Sequence, residues 1–391
     1  MDTTDFHTHT NCIKNSTERS GWIDVLRIAA CMMVVISHCC DGFVAMFDAD
    51  RTSFLTGTLI GSLMRASVPL FVMMTGVLLL PIRPGTTLGG FYRKRIGRIV
   101  VPLIFWSLAL PLLAYAYFNG PGASSANASV DMAAYTTEGL LNRLWTWMLN
   151  FNFDTTPLWY LYMLAGLYLI MPIADAWLKQ ASRKDERNFL LIWGATLFLP
   201  YLKLFAPSLG YTGNYGNMDI FGGCDWNAFG TFHYVSGFLG YIVLAHYLTR
   251  YPLQWSTKKL YAVNAALFTI GYAITAGGYI WMQSLFPGDY AYLEIVWLFN
   301  GPNVFLMTFA AFTTVQRMAA APRPWLKYLA SLTFGIYLCH FIFVMAGYDL
   351  FDIAALPVVL RILCMSVFAF TSAAALTALM RLLPLTRRFV E

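Results

Sequence analysis

Apolar stretches of about 20 residues, the length that carries a helix across a bilayer, recur along the whole chain. They lie near 23–46, 56–80, 99–118, 157–177, 188–206, 229–248, 260–285, 292–316, 329–349 and 355–380. A soluble domain carries about a quarter charged residues, whereas this chain of 391 is 58% hydrophobic and 12% charged. The expected fold is therefore an all-α integral membrane protein, a bundle of about ten transmembrane helices. No soluble domain, heptad pattern or internal repeat interrupts it.

The cations orient the bundle, because cytoplasmic loops accumulate Lys and Arg. Segments 14–19, 83–98, 179–187, 250–259, 317–327 and 381–388 hold nearly all of them, and the opposite loops offer only Arg51 and Arg143. Both termini are thus expected in the cytoplasm, which requires an even helix count. The net charge of +6 belongs to these loops and carries no nucleic-acid signature. Residues 1–20 are polar and lack an apolar core, so a flexible cytoplasmic tail is expected there, followed by a transmembrane domain over 21–391. The first apolar run is interrupted by charge and continues into a full span, unlike a cleavable signal peptide. His7 and His9 form an H-x-H in the tail without further spaced ligands, and no metal site is expected. Of seven cysteines, only Cys224 falls in an extended outer loop, so no disulfide framework is implied.

Two outer loops, about 119–142 and 207–228, are long, rich in Gly, Asn, Tyr and Asp and nearly free of cations. Loops of that length usually have a function, and aromatic and amide side chains are suited to sugars. The segment "NRLWTWMLNFNFDTT", 142–156, carries Trp145 and Trp147. It reads either as an interfacial aromatic belt or as a lip over an outer substrate cleft.

Ionisable groups inside the spans are the informative residues, since each costs roughly 2.5 to 3.5 kcal/mol even on the lenient insertion scale. The first span, "IDVLRIAACMMVVISH", contains Asp24, Arg27 and His38. From Arg27 to His38 is about three helical turns and about 16 Å, so both lie on one face. Asp24 precedes Arg27 by three positions, close enough to orient or neutralise it. Arg27 also fits a snorkelling anchor, and His38 a buried neutral histidine. Against the latter stand Ser37, Cys39 and Cys40, which make that end of the helix polar. The second span carries Arg65 and, at Pro69, a residue that removes a helix hydrogen bond. "FYRKRIGRIVVP" then clusters Arg93, Lys94, Arg95 and Arg98. That cluster is topogenic charge or a clamp for a cytosolic polyphosphate, since Arg pairs bidentately with phosphate. Later spans contain Asp175, Lys203, His233, Asn300, Asn303, His340 and Arg361, with Glu294 expected in solvent at an outer edge.

These residues resemble the membrane-bound acyltransferase-3 family, whose hallmark is an arginine and a histidine with ten residues between them in the first span. Arg27 and His38 have that spacing. "RASVPLFVMMTGVLLL" is similar to the family's second-span motif, with Phe71-Val72 for two phenylalanines and Thr75-Gly76 for Ser-Gly. Arg95 and Arg98 match its R-x-x-R element, and "PLWYLYMLAGLYLIMPI" and "SLTFGIYLCHFIF" look like its later signatures. Within the family the chain most resembles the short surface-polysaccharide O-acetyltransferases of the enterobacterial common antigen type.

The resemblance implies an O-acetyltransferase in a bacterial inner membrane. Acetyl-CoA serves as donor from the cytosol, and a glycan or lipid-linked saccharide is acylated on the other side. Arg93, Arg95 and Arg98 are expected to hold the CoA phosphates. Arg65 and Arg27 are expected to anchor the pantetheine end or polarise the thioester. His38 acts as general base or takes the acyl group itself, Asp24 positions Arg27, and Trp159, Tyr160 and Tyr162 line the acceptor side. A transporter of a small anion or lipid-linked glycan also accommodates intramembrane Arg and His. It predicts paired broken helices in inverted repeats, a pattern not evident in the sequence.

Overall fold

The computed structural model describes residues 21–149, 152–205, 208, 210, 230–318, 321–353 and 355–391. The expected tail 1–20 with His7 and His9, Asn150 and Phe151, nearly all of loop 207–228 with Cys224, and the side chain of Lys203 lie outside the described residues.

Apolar runs fold into helices in chain order. Helix α1 is Gly21–Val44, α2 Arg51–Leu63, α3 Ser67–Leu79, α4 Leu88–Phe118, α5 Thr137–Thr146 and α6 Trp159–Leu178. Helices α7 Arg183–Thr196, α8 Leu199–Phe205, α9 Leu239–Arg250, α10 Thr257–Leu285, α11 Pro302–Met318, α12 Pro324–Leu350 and α13 Val358–Leu382 follow. Among the described residues, eight helical stretches are long and apolar enough to cross a membrane: 21–44, 51–79, 88–118, 153–178, 257–285, 290–318, 324–350 and 358–382.

The remaining two expected spans are shorter and broken, for local reasons. In place of 188–206 the chain forms α7 and α8, separated by a turn at 197–198, with Pro200 in the first turn of α8, where its missing N–H breaks no helical bond. In place of 229–248 it forms a short 3-10 turn and α9. Between them Gly237 sits at φ +81°, where a residue with a Cβ would be strained. The second span is interrupted at residues 64–66, between α2 and α3. Pro69 then falls in the first turn of α3, where no helical partner for its missing N–H is needed.

Helix α1 is the hub of the bundle. It packs against α2, α3, α11, α12 and α13, and Leu26, Ala30, Cys31, Val35, Cys39 and Phe43 are buried around its circumference. The loop expected at 119–142 is folded rather than open. The Tyr135 hydroxyl donates to Asp154 at 2.6 Å, Arg143 reaches the other carboxylate oxygen at 2.7 Å, and Arg143 also donates to the Ala134 carbonyl. Burial, reinforced by the Asp154 carboxylate, pushes the Tyr135 phenol well above its ordinary value, so it remains the donor. Trp145 is 84% exposed, which suits the interfacial belt, while Phe153 turns inward against Phe341, as a lip would.

A second buried carboxylate joins α7 to α9. Glu186 is fully buried and accepts from His246 at 3.0 Å and Arg250 at 3.3 Å.

Removing one partner of a buried ion pair leaves an uncompensated charge and costs about 3–5 kcal/mol. Asp154→Ala is therefore expected to lower the melting temperature of the purified protein clearly, whereas Asp48→Ala, on an exposed turn residue, leaves it within error. Equal melting temperatures for Asp154→Ala and wild type contradict the assignment of this cluster as the loop's anchor.

Candidate active site

Near the C-terminal end of α1, His38 and Asp41 stand one turn apart, and the His38 Nδ1 lies 2.8 Å from Asp41 Oδ2. A carboxylate only accepts, so Nδ1–H donates and Nε2 keeps a free lone pair. The His38 side chain is 18% exposed, enough for a reacting group to approach. His340 of α12 meets it with ring centroids 5.3 Å apart, and the edge of Phe341 approaches His38 at the same distance. His340 is fully buried, its Nδ1–H donates to the Tyr337 carbonyl at 2.7 Å, and its Nε2 has no protein partner. Two imidazoles therefore stand side by side, each with Nδ1 committed, but only His38 is partly exposed, whereas the Nε2 of His340 is buried.

Arg65 approaches this site from the break between α2 and α3. Its Nε donates to the Trp297 carbonyl at 2.9 Å, a second nitrogen donates to the same oxygen, and the guanidinium lies 4.2 Å over the Phe299 ring. Asp41, Glu294 and Tyr279 are its electrostatic neighbours. Arg65 thus belongs with His38 and Asp41, and the structure does not gather it with Arg93, Arg95 and Arg98. Glu294, expected in solvent, is half-buried and faces Arg65.

From His38 toward the N-terminal end of α1 runs a series of aromatic side chains. Tyr337 donates to the Pro157 carbonyl and packs 6.0 Å from His340 and 5.5 Å from Tyr160. Tyr160 is buried beside Thr75 and lies within electrostatic reach of Arg27. Tyr168, two turns further along α6, lies within the same reach of Arg27, Arg95 and Arg98. Arg95 is half-buried while Arg93 and Arg98 are exposed. Asp24 is buried in the first turn of α1, where the helix dipole favours a carboxylate, three residues before Arg27.

The three expected acceptor residues separate, because successive helix positions differ by 100°. Tyr160 joins the series just described. Trp159 turns the other way and stacks on Phe299 at 5.6 Å. Tyr162 is 45% exposed, against Ser107 on the outer surface of the bundle, and the structure does not bring it to the site. Asp41, Tyr168 and His340 are side chains to which the sequence reading gave no role, although Tyr168 and His340 fall inside the motif segments. Asp41 had a legible signal, a carboxylate one turn after His38.

Chemically, a histidine held in one tautomer by a carboxylate suits a general base, and Arg27, about 16 Å away along the same helix, with Arg95 and Arg98 of α4 around the same Tyr168, suits an anionic group. The comparisons agree with an acyl-group chemistry. The family model described as an acyltransferase domain matches residues 20–378. A Bacillus subtilis (strain 168) protein, YfiQ, whose name includes the words membrane-bound acyltransferase, is 24% identical over 349 residues, covering 86% of each chain. No solved structure matches. The chain belongs to the acyltransferase-3 family and is a multi-pass membrane acyltransferase.

Proposed function

We propose that the protein transfers an acyl group, most simply acetyl, from acyl-CoA to a hydroxyl of a surface glycan on the opposite side of a bacterial inner membrane. Its nearest type is the short surface-polysaccharide O-acetyltransferase. The observation that carries the reading is the pairing of His38 with Asp41 on the helix that also bears Arg27, with Arg95 and Arg98 beside Tyr168 at the other end.

In this reading the cation-rich end faces the cytosol and takes the donor. Arg95 and Arg98, with Arg93 at the rim, hold the phosphates of CoA, for which clustered guanidinium groups are suited. The thioester arm then follows α1 past Arg27 toward His38. There the sugar hydroxyl attacks the thioester carbonyl and gives its proton to His38 Nε2 as the C–O bond forms. Asp41 stabilises the resulting imidazolium, as the carboxylate does in an Asp-His pair. The C–S bond breaks, and the CoA thiolate leaves and takes up a proton. In this reading Arg65, an electrostatic neighbour of Asp41, polarises the thioester carbonyl.

Transfer of label from radiolabelled acetyl-CoA to extracted surface glycan, in membranes carrying each variant, tests the scheme. His38→Ala is expected to fall to background while inserting normally. Arg98→Ala is expected to raise the acetyl-CoA KM about tenfold or more, the scale of one charge-assisted hydrogen bond, with kcat changed less. Full activity of the His38→Ala protein overturns the reading.

Asp41→Asn retains shape but loses the carboxylate that fixes the tautomer. Its kcat is expected to fall about 10²- to 10⁴-fold, with the melting temperature retained. An unchanged rate assigns Asp41 no part in positioning His38.

A further inference from the structure

A cavity of about 250 Å³ opens beside the site, between α6, α7, α8 and the chain on either side of residues 236–238 and 298–300. Three aromatic rings, Trp159, Phe238 and Phe299, form its apolar walls, and Asn300, Ser236 and Thr196 supply its polar atoms. The hydrogen bonds of these three decide what the cavity can hold. The Ser236 hydroxyl donates its proton to the His233 carbonyl at 3.0 Å, and the Thr196 hydroxyl donates to the Trp193 carbonyl at 2.6 Å. A hydroxyl that has spent its one proton offers only lone pairs. Asn300 Oδ1, another acceptor, is buried with no protein partner. The cavity thus offers three acceptor oxygens together with the N–H donors of the Asn300 amide and the Trp159 indole, and none of its described lining residues is cationic.

We propose that this cavity is the acceptor subsite and holds one uncharged sugar ring. A pyranose carries hydroxyl donors around its rim and C–H groups on its faces. The donors meet the three acceptor oxygens, and the C–H faces meet the electron-rich faces of the aromatic rings. An acyl chain leaves Asn300 Oδ1 buried and unpaired, at the full desolvation penalty of that group. A phosphate or carboxylate finds no cation among the described lining residues to offset its charge. The size agrees, since 250 Å³ lies below the roughly 300–1,000 Å³ of pockets that enclose drug-sized ligands and suits one ring. Its place agrees as well. Phe299 carries Trp159 at 5.6 Å and the Arg65 guanidinium at 4.2 Å, and Arg65 neighbours Asp41, which holds His38. A glycan anchored here passes Arg65 on the way to the base.

The role as acceptor subsite rests on the acyl-transfer reading, whereas sugar binding does not, and the two are tested separately. Full-length protein in lipid nanodiscs is examined by saturation-transfer difference NMR with methyl β-glucoside, methyl α-mannoside and methyl N-acetyl-β-glucosaminide at millimolar concentrations. Sodium octanoate and inorganic phosphate serve as competitors. At least one glycoside is expected to bind, with neither competitor displacing it. Asn300→Leu, which removes one acceptor, is expected to weaken that glycoside about threefold to tenfold, and Trp159→Ala at least as much. Asn300→Gln retains an amide acceptor and guards against a folding artefact, with binding expected nearer wild type than that of Asn300→Leu. His38→Ala is expected to bind the glycoside as wild type does while losing transfer. Glycoside binding by a protein that transfers no acyl group from any CoA ester supports the sugar site and overturns the transfer reading. Displacement by octanoate or phosphate, glycoside binding equal in wild type, Trp159→Ala and Asn300→Leu, or no glycoside binding to wild type each overturns the sugar site.

Discussion

An aspartate, an arginine and a histidine on one apolar helix are tolerable only if that helix is shielded from lipid, and the rest of the structure follows from this constraint. Helix α1 meets it by packing against α2, α3, α11, α12 and α13, so its polar groups face other side chains. His38 acquires Asp41 and a neighbouring ring, tilted toward it, in His340. Arg65, entering from a helix break, acquires a carbonyl, an aromatic face and two nearby carboxylates. Burying a charge is costly, and these partners offset the cost while leaving Nε2 of each imidazole uncommitted.

The arrangement divides labour along one helix. At the N-terminal end of α1, cations gather around Tyr168; at the C-terminal end, bases gather around Asp41; Tyr160 and Tyr337 lie between them. Aromatic rings suit that middle section because they are largely apolar yet retain a hydroxyl that can be hydrogen-bonded. The short helices α7, α8 and α9 fit the same picture. The ends of α7 and α8 and the turn before α9 border, with Trp159 of α6, the cavity beside the site.

Much of this was legible in the sequence, and the exceptions have physical causes. The long spans follow from unbroken apolar length, and the shared face of Arg27 and His38 follows from helical periodicity. The broken fifth and sixth spans carried a local signal in Pro200 and Gly237, which a hydropathy reading averages away. Tyr160 and Trp159 adjoin in sequence but face different neighbours, and Tyr162 faces outward, because a motif carries no information about which side of α6 meets the core. The resemblance assigns Arg65 to the pantetheine end or the thioester, and its surroundings were not legible because Trp297, Phe299 and Glu294, which set them, lie more than 200 positions away. Asp41 was passed over because it follows the most conspicuous part of the motif and resembles loop polarity until its side chain is seen bonded to His38.

The central claim is that donor and acceptor meet His38 from opposite faces of the membrane. Reconstitution in proteoliposomes, with orientation fixed by protease access to a tag following Glu391, tests it directly. Radiolabelled acetyl-CoA is confined to the face bearing Arg95 and Arg98, and extracted surface glycan to the other. Label reaching the glycan across an intact bilayer is the result expected. Transfer only when both substrates share one face contradicts the account.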